Sequence, residues 1–246
     1  MGLFDKKYCD ICGAQIKFLG NKKLEDGNCC KECASKLSPW FSERRHSTIE
    51  SIKEQLAYRE ANKSDVASFK VTRTIGDGTK ILFDEDAGKF LITRSGKWRD
   101  ENPDIIKFSD VTGCDTRISE YKSEEMTKDR EGREISYRPP HFEYSYNFEV
   151  LIHVNNPYFD DIRFNINSSS VHEKTVGPQH NHGSEYQNFA DSLTEIKNIF
   201  SNVREEARAS VLEASAVKTP VKCPSCGANT TPDSNGCCEY CGSHID

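Results

Sequence analysis

The chain has 246 residues, 29% of them charged and 35% hydrophobic, with a formal net charge of −6. That length holds one or two ordinary domains plus small modules, and the acidic balance counts against a general nucleic-acid binder. No run of about 18 apolar residues occurs, so no segment reads as a membrane span.

The N-terminal MGLFDKKYCD has neither the apolar run of a signal peptide nor, at Lys6, the hydroxyl residue of a myristoylation signal. Cys9 and Cys12 form one C-x-x-C pair, and Cys30 and Cys33 a second after 17 intervening residues. A two-residue spacing lets both sulfurs of one tight turn reach one metal, and two such turns complete a tetrahedron with bonds of about 2.3 Å. Gly13 suits a knuckle whose next residue takes positive φ. After Cys33, Ala34-Ser35-Lys36-Leu37 is helix-compatible. Cys30 and Cys33 are therefore expected at the start of a short helix, where free N–H groups favour thiolate charge, as in a treble clef. Asp26-Gly27 supplies the turn of the intervening hairpin. Cys29 competes with Cys30 as a ligand, but only Cys30 keeps the spacing to Cys33.

Ser38-Pro39 is expected to end that helix, and Trp40 and Phe41 to pack as a small satellite core beneath the zinc module. A second helix is expected over 47–61, with Ser47 as cap, Glu50 completing a capping box, and Ile49, Ile52 and Leu56 as a narrow apolar stripe. Arg44, Arg45 and His46 read as a solvated charged face. From about Asp65 the pattern shifts to period two. Phe69, Val71 and Ile75 suggest a strand, and 80–83 and 89–92 a hairpin. A turn with a short strand is expected around Gly96-Lys97-Trp98, then strands through Ile105, Ile106, Phe108 and 113–118. Residues 122–140 read as a long exposed hairpin loop. Residues 144–154 alternate Tyr144, Tyr146, Phe148, Val150, Ile152 and Val154 on one face, with Ile162, Phe164 and Ile166 as the partner strand.

Residues 167–184 read as a flexible loop. His180 and His182 lie in it, but no further ligand stands near them in sequence, which favours a surface loop over a metal site. Phe189, Leu193, Ile196, Phe200, Val203 and Ala207 then form one apolar seam on a helix of about thirty residues, or about 45 Å, over 185–214. Its Ala- and Ser-rich second half reads as a frayed extension or linker. Cys223, Cys226, Cys238 and Cys241 form a second four-thiolate set. Gly227 and Gly242 follow the second cysteine of each pair, so both halves are expected to be knuckles, as in a zinc ribbon, with His244 unnecessary as a ligand. Cys29, Cys114 and Cys237 remain over. This usage reads as metal binding in a reducing cytoplasm, not as a disulfide framework.

The stretch YCDICGAQIKFLGNKKLEDGNCCKECASKLSPWF resembles the N-terminal zinc-finger domain of unknown function of uncharacterised bacterial proteins, in some of which it precedes a pleckstrin-homology-like domain. KFSDVTGCDTRI and YNFEVLIHVNNPYFDDIRFNIN are similar in layout to strand pairs of that fold, and CPSCGANTTPDSNGCCEYCG resembles appended zinc ribbons. The resemblance implies an α+β chain: a central antiparallel pleckstrin-homology-like β-barrel or sandwich with a long C-terminal helix, flanked by two small zinc modules. The corresponding boundaries are 1–38 for the finger, 39–64 for a helical connector, 65–208 for the β domain, 209–220 for a linker and 221–246 for the ribbon. The family supplies no catalytic residues.

Two structural zinc ions are thus expected, on Cys9, Cys12, Cys30 and Cys33 and on Cys223, Cys226, Cys238 and Cys241, with iron in a rubredoxin-like site as the rival occupant of the same four thiolates. No Gly-rich phosphate loop, H-E-x-x-H or nucleophile elbow occurs. Cys114 with His153 and His172 is the one conceivable nucleophile–base set, and Cys114 reads as a small buried hydrophobe. The expected function is that of a non-catalytic adaptor or scaffold with a protein partner. Peripheral membrane contact or a nucleic-acid-associated regulatory role are the alternatives, weakened by acidic residues interleaved with Lys122, Lys128, Arg130 and Arg133. Partner, process and oligomeric state are not encoded in any motif.

Overall fold

Short turn-forming stretches at the N-terminus give way to long alternating runs, and the computed structural model follows that division. It describes residues 6–17, 19–177, 180–215, 220–233 and 236–245, with backbone alone at 204 and 206–215. The chain divides into two compact units, Met1–Arg204 and Glu205–Asp246.

The first unit opens with two minimal hairpins, β1 (Lys7–Tyr8) with β2 (Gln15–Ile16) and β3 (Lys22–Lys23) with β4 (Asn28–Cys29), followed by α1 (Lys31–Ser35). Leu24 donates its N–H to the Gly27 carbonyl across the β3–β4 turn. A Cβ on Gly27 would fall 2.7 Å from Asp10 Oδ2 and 2.8 Å from Ile49 Cδ1, so a side chain there would displace the helix start packed against the turn. Ile16, Leu24, Leu37 and the buried cysteines form a small core completed by Ile52 of α2 (Ile49–Ser68), with Ile49, Leu56 and Phe41 packed against it. Trp40 departs from the expected satellite pair and packs on the main core instead.

Helix α2 starts two residues later than expected and ends seven later. Thr48, not Ser47, caps it by accepting the Ser51 N–H, and Asp26 Oδ1 accepts that of Ile49. The helix passes its expected end at residue 61 because Asn62 is buried. Its amide donates to the Asn102 side chain and the Pro103 carbonyl and accepts from Ile105 N. The helix runs on because its polar face meets a loop that satisfies it.

Two four-stranded antiparallel sheets follow. The first has the order β5 (Arg73–Ile75), β6 (Lys80–Asp84), β7 (Lys89–Thr93), β8 (Ile106–Lys107). β6 and β7 are buried on both faces. Ile81, Phe83, Phe90 and Ile92 enter the main core, while Leu82 and Leu91 meet Val66, Phe69, Trp98 and Ile105 on the outer face. That outer cluster turns Trp98–Glu101 into a short helix, α3, where a strand was expected, and Trp98 packs edge-on against Phe69 at 5.6 Å. Phe69 and Val71 likewise precede the strand, which is confined to β5.

The second sheet is built on β10 (Glu134–Val154), flanked on one side by β9 (Val111–Lys128) and on the other by β12 (Val171–Val176) and β11 (Asp161–Asn165) in turn. The expected loop at 122–140 is therefore mostly paired strand. Asp129 makes the turn by accepting the N–H groups of Glu131 and Arg133, and Gly132 takes φ 80°. Pro139-Pro140 sits in a register shift between Ser136 and His141. The expected loop at 167–184 contains β12, paired with residues 141–146 of β10, while residues 178–179 lie outside those described.

No strand of one sheet pairs with the other among the described residues, so the expected barrel does not close. The chain changes sheets through a single 3₁₀ turn at Phe108–Asp110, after a β8 of only two residues. Both sheets instead share one core with α4 (Ser184–Ser215), through Leu193, Ile196 and Phe200. Phe200 meets Phe83 and Phe90 at ring separations of 5.9 and 4.9 Å.

The last residues of α4 belong to the second unit, with the hairpin β13 (Val221–Lys222) and β14 (Asn229–Thr230) and a bridge between Cys237 and His244. The expected linker 209–220 is thus helical through Ser215, and its residues 216–219 lie outside those described. The side chain of Ala207, the last position of the seam, lies outside them as well.

Candidate metal centres

Both cysteine clusters are built from one local device. Cys9 N–H donates to the Ala14 carbonyl and Gly13 N–H to the Cys9 carbonyl. The same pair of bonds recurs at Cys223/Ala228 with Gly227, and at Cys238/Ser243 with Gly242. The glycines take φ of 74°, 73° and 71°, a conformation costly for any residue with a Cβ. Each turn aims its two sulfurs to one side. The fourth half-site differs: Cys30 is the N-cap of α1, and its sulfur accepts the Cys33 N–H at 3.3 Å. The N-terminal cluster therefore combines a knuckle with a helix start, and the C-terminal cluster combines two knuckles.

In each cluster the four Sγ atoms lie within 4.8 Å of one another. Cys12 and Cys30 are 3.8 Å apart, and Cys223–Cys241 and Cys226–Cys238 3.7 Å. Four sulfurs at about 2.3 Å from one tetrahedral ion would be separated by about 3.8 Å, whereas a disulfide would need about 2.05 Å. The donor set thus fits a four-coordinate thiophilic cation, with all eight expected cysteines assembled in their expected groups.

The surroundings favour thiolates. Burial pushes Cys9 up, but the N–H groups of Cys12, Cys30 and Ile11 outweigh it and bring it to about 6. Ser243 likewise holds Cys241 at about 6. The N–H of Cys226 lowers Cys223. Their partners shift the other way: at Cys226 the Ala228 N–H pulls down, but Cys241 and burial carry it up to about 12, and burial raises Cys33. Four sulfurs so close cannot all ionise without a cation among them.

The leftover cysteines lie outside both groups of four. Cys29 is fully buried and points its thiol at the Cys30 carbonyl, and burial, with the charges of Cys9 and Cys30, pushes it up to about 12. Cys114 packs against the main core, and burial also pushes it up to about 12. It pairs across with Ile152, so it shares that residue's face, while His153 faces the other side of the sheet. The conceivable nucleophile–base pair is therefore not assembled. Cys237 donates its backbone N–H to the Asp233 carboxylate.

His153 instead lies between two carboxylates, Asp161 at 2.6 Å and Asp115 at 3.2 Å. The hydrogen bond to Asp161, above all, raises its pKa from the ordinary 6.5. Because the folded value is raised, its stabilising contribution is complete below the unfolded pKa and fades as pH rises through the folded one. Asp161→Asn is expected to return the His153 titration, followed by NMR, toward 6.5. An unchanged midpoint would show that Asp161 does not hold it.

One cluster escaped the sequence reading. Glu173 on β12 brings its carboxylate to both His180 and His182, with all three donor atoms within 4.8 Å. The glutamate stands only seven residues before His180, but it was hidden by reading its strand as part of a loop. His172, beside it, points to Glu143 on the neighbouring strand at 3.7 Å. Among known families, a domain of unknown function, DUF4428, matches residues 7–55. No curated protein and no solved structure matches the chain. The matched stretch reaches beyond the expected finger boundary at residue 38 and into α2. That extent has a physical counterpart, since Ile52 is fully buried in the finger core. No helix among the described residues is long and apolar enough to cross a membrane.

Proposed function

We propose that the chain is a zinc-binding adaptor in which two structural zinc ions hold small modules at either end of a pleckstrin-homology-like recognition domain. The observation that carries this reading is the sulfur geometry. Both clusters are closed sets of four thiolates at tetrahedral spacing, the pattern of structural rather than catalytic zinc. Zinc is favoured over iron because it is the usual occupant of paired two-residue thiolate spacings, although a rubredoxin-like iron site uses the same donors. The pleckstrin-like assignment is supported by two antiparallel four-stranded sheets and a closing C-terminal helix around one aromatic core. Thiolate centres with no disulfide among eleven cysteines fit a reducing cytoplasm.

The surface offered to a partner is the outer half of the β9–β10 ribbon. Tyr121, Met126 and Ile135 are exposed there among charges of both signs. Exposed apolar side chains on a paired ribbon suit a protein partner, whereas an anionic membrane would favour a run of lysines and arginines not interrupted by acids. The test uses the full chain. Metal analysis should find zinc on the cysteines, and sedimentation with vesicles of phosphatidylserine should leave the protein in the supernatant. Red, iron-loaded protein from zinc-replete expression would overturn the zinc assignment. Co-sedimentation abolished by Lys122→Glu would replace the protein partner by a membrane.

A further inference from the structure

We propose that Glu173, His180 and His182 form a third metal site, distinct in chemistry from the cysteine centres, for a divalent first-row transition ion bound by two imidazoles and one carboxylate. Glu173 Oε2 lies 2.6 Å from His180 Nε2 and 3.0 Å from His182 Nδ1. Adjacent ligands of a six-coordinate ion with bonds of about 2.05 Å are about 2.9 Å apart, and these two distances bracket that edge length. Two histidines and one carboxylate fill three positions and leave the others to water or to an exogenous donor.

The supporting contacts are those of a held site. The second oxygen, Glu173 Oε1, accepts the Gly183 N–H at 2.7 Å, which fixes the carboxylate plane. His180 Nδ1 is 3.3 Å from the Tyr146 hydroxyl. With Nδ1–H donating to that oxygen, Nε2 is left bare toward the site, the usual outer partner of a ligating imidazole. His182 stacks flat on Tyr186 at 3.6 Å, and His180 lies over Tyr144 at 4.1 Å. Three rigid elements, β10, β12 and the start of α4, thus restrain every donor.

Charge argues in the same direction. The side chains of Glu173 and His180 are only 12% and 14% exposed, and His182 is 31% exposed. Glu173 forms no ion pair with a lysine or arginine among the described residues; its charge partners are the two histidines. Two neutral imidazoles would leave a mostly buried anion without a cation, and a divalent ion supplies one. Two protons, one on each ring, are the competing occupant.

The experiment titrates zinc or cobalt(II) into the full chain, its cysteine centres already loaded, by calorimetry and by absorbance. Wild type is expected to take one further equivalent, with cobalt there lacking the thiolate charge-transfer bands of the cysteine centres. Glu173→Gln, which keeps an acceptor for Gly183, should weaken that equivalent at least tenfold while the thermal transition holds, and His180→Ala/His182→Ala should abolish it. Tyr146→Phe should weaken it about 10- to 100-fold through the ring it orients. No uptake beyond the cysteine centres, or uptake undiminished in the double variant, would overturn the site and assign the cluster to protons. The adaptor reading fails separately, if the cysteine centres themselves lack zinc.

Discussion

Cys30→Ser is expected to remove one metal equivalent and unfold residues 6–37, whereas Cys29→Ser should leave the metal in place. The two neighbours occupy opposite situations. Cys30 is a corner of the sulfur tetrahedron, 3.8 Å from Cys12, and also the residue from which α1 starts. Its loss forfeits a binding free energy of roughly 10–16 kcal/mol, more than two minimal hairpins and a five-residue helix supply by themselves. Cys29 is a neutral buried thiol donating to a carbonyl, a bond that a serine hydroxyl reproduces at a cost of about 1 kcal/mol. The main core contains none of the eight ligand cysteines, so its thermal transition should survive in both variants and in strong chelator. Metal analysis with hydrogen exchange across 6–37 checks this. Equal metal loss in the two variants would mean that the ligand register is wrong, and cooperative melting of the sheets would mean that the finger core and main core are one.

The cysteine centres were legible in sequence because they are local chemistry. A knuckle needs two sulfurs, a two-residue gap and a glycine, and all three are adjacent in the chain. The hairpin of β6 and β7 was legible as two short apolar runs about a turn, and the alternation from Tyr144 to Val154 and the seam on α4 because each buries a regular stripe. The missed strands bury no such stripe. Beyond Glu120, β9 is exposed or half-exposed at every position, and β12 buries only Val171, so neither shows period-two hydrophobicity although both are fully paired to β10. Their stability is borrowed from β10, and that dependence is written in β10 rather than in their own residues. The same blind spot concealed Glu173: a ligand on an undetected strand cannot be associated with histidines in the loop beyond it.

The end of α2 was misread for a different reason, and it leads to the second large effect. Asp104→Ala is expected to destabilise the first unit by about 3–5 kcal/mol, the cost of leaving one member of a buried ion pair alone. Arg59 donates to Asp104 at 2.6 Å, with side chains 8% and 0% exposed. Ser38 Oγ donates to the other carboxylate oxygen at 2.7 Å, and Arg59 also reaches the carbonyls of Lys36 and Asn102. Three segments therefore meet on one carboxylate: the chain leaving the finger, the middle of α2 and the loop before β8. Burial pushes Asp104 up in spite of Arg59 and Ser38, so desolvation outweighs attraction and the pair is not by itself a net source of stability. Truncating it is still severe, because the guanidinium stays buried without its counter-charge. Arg59→Met in the Asp104→Ala background removes that charge and should recover part of the loss. Recovery should be incomplete, because the carbonyls of Lys36 and Asn102 then lose their donor. Denaturant midpoints for the two single variants and the double one, at constant m-value, measure the coupling. The metal content should stay unchanged throughout, since Arg59, Asp104 and Ser38 bond no cysteine sulfur and the network meets the finger only through backbone at Lys36. A loss below about 1 kcal/mol for Asp104→Ala would show that water reaches the carboxylate and that the finger is fastened to the sheets by other contacts.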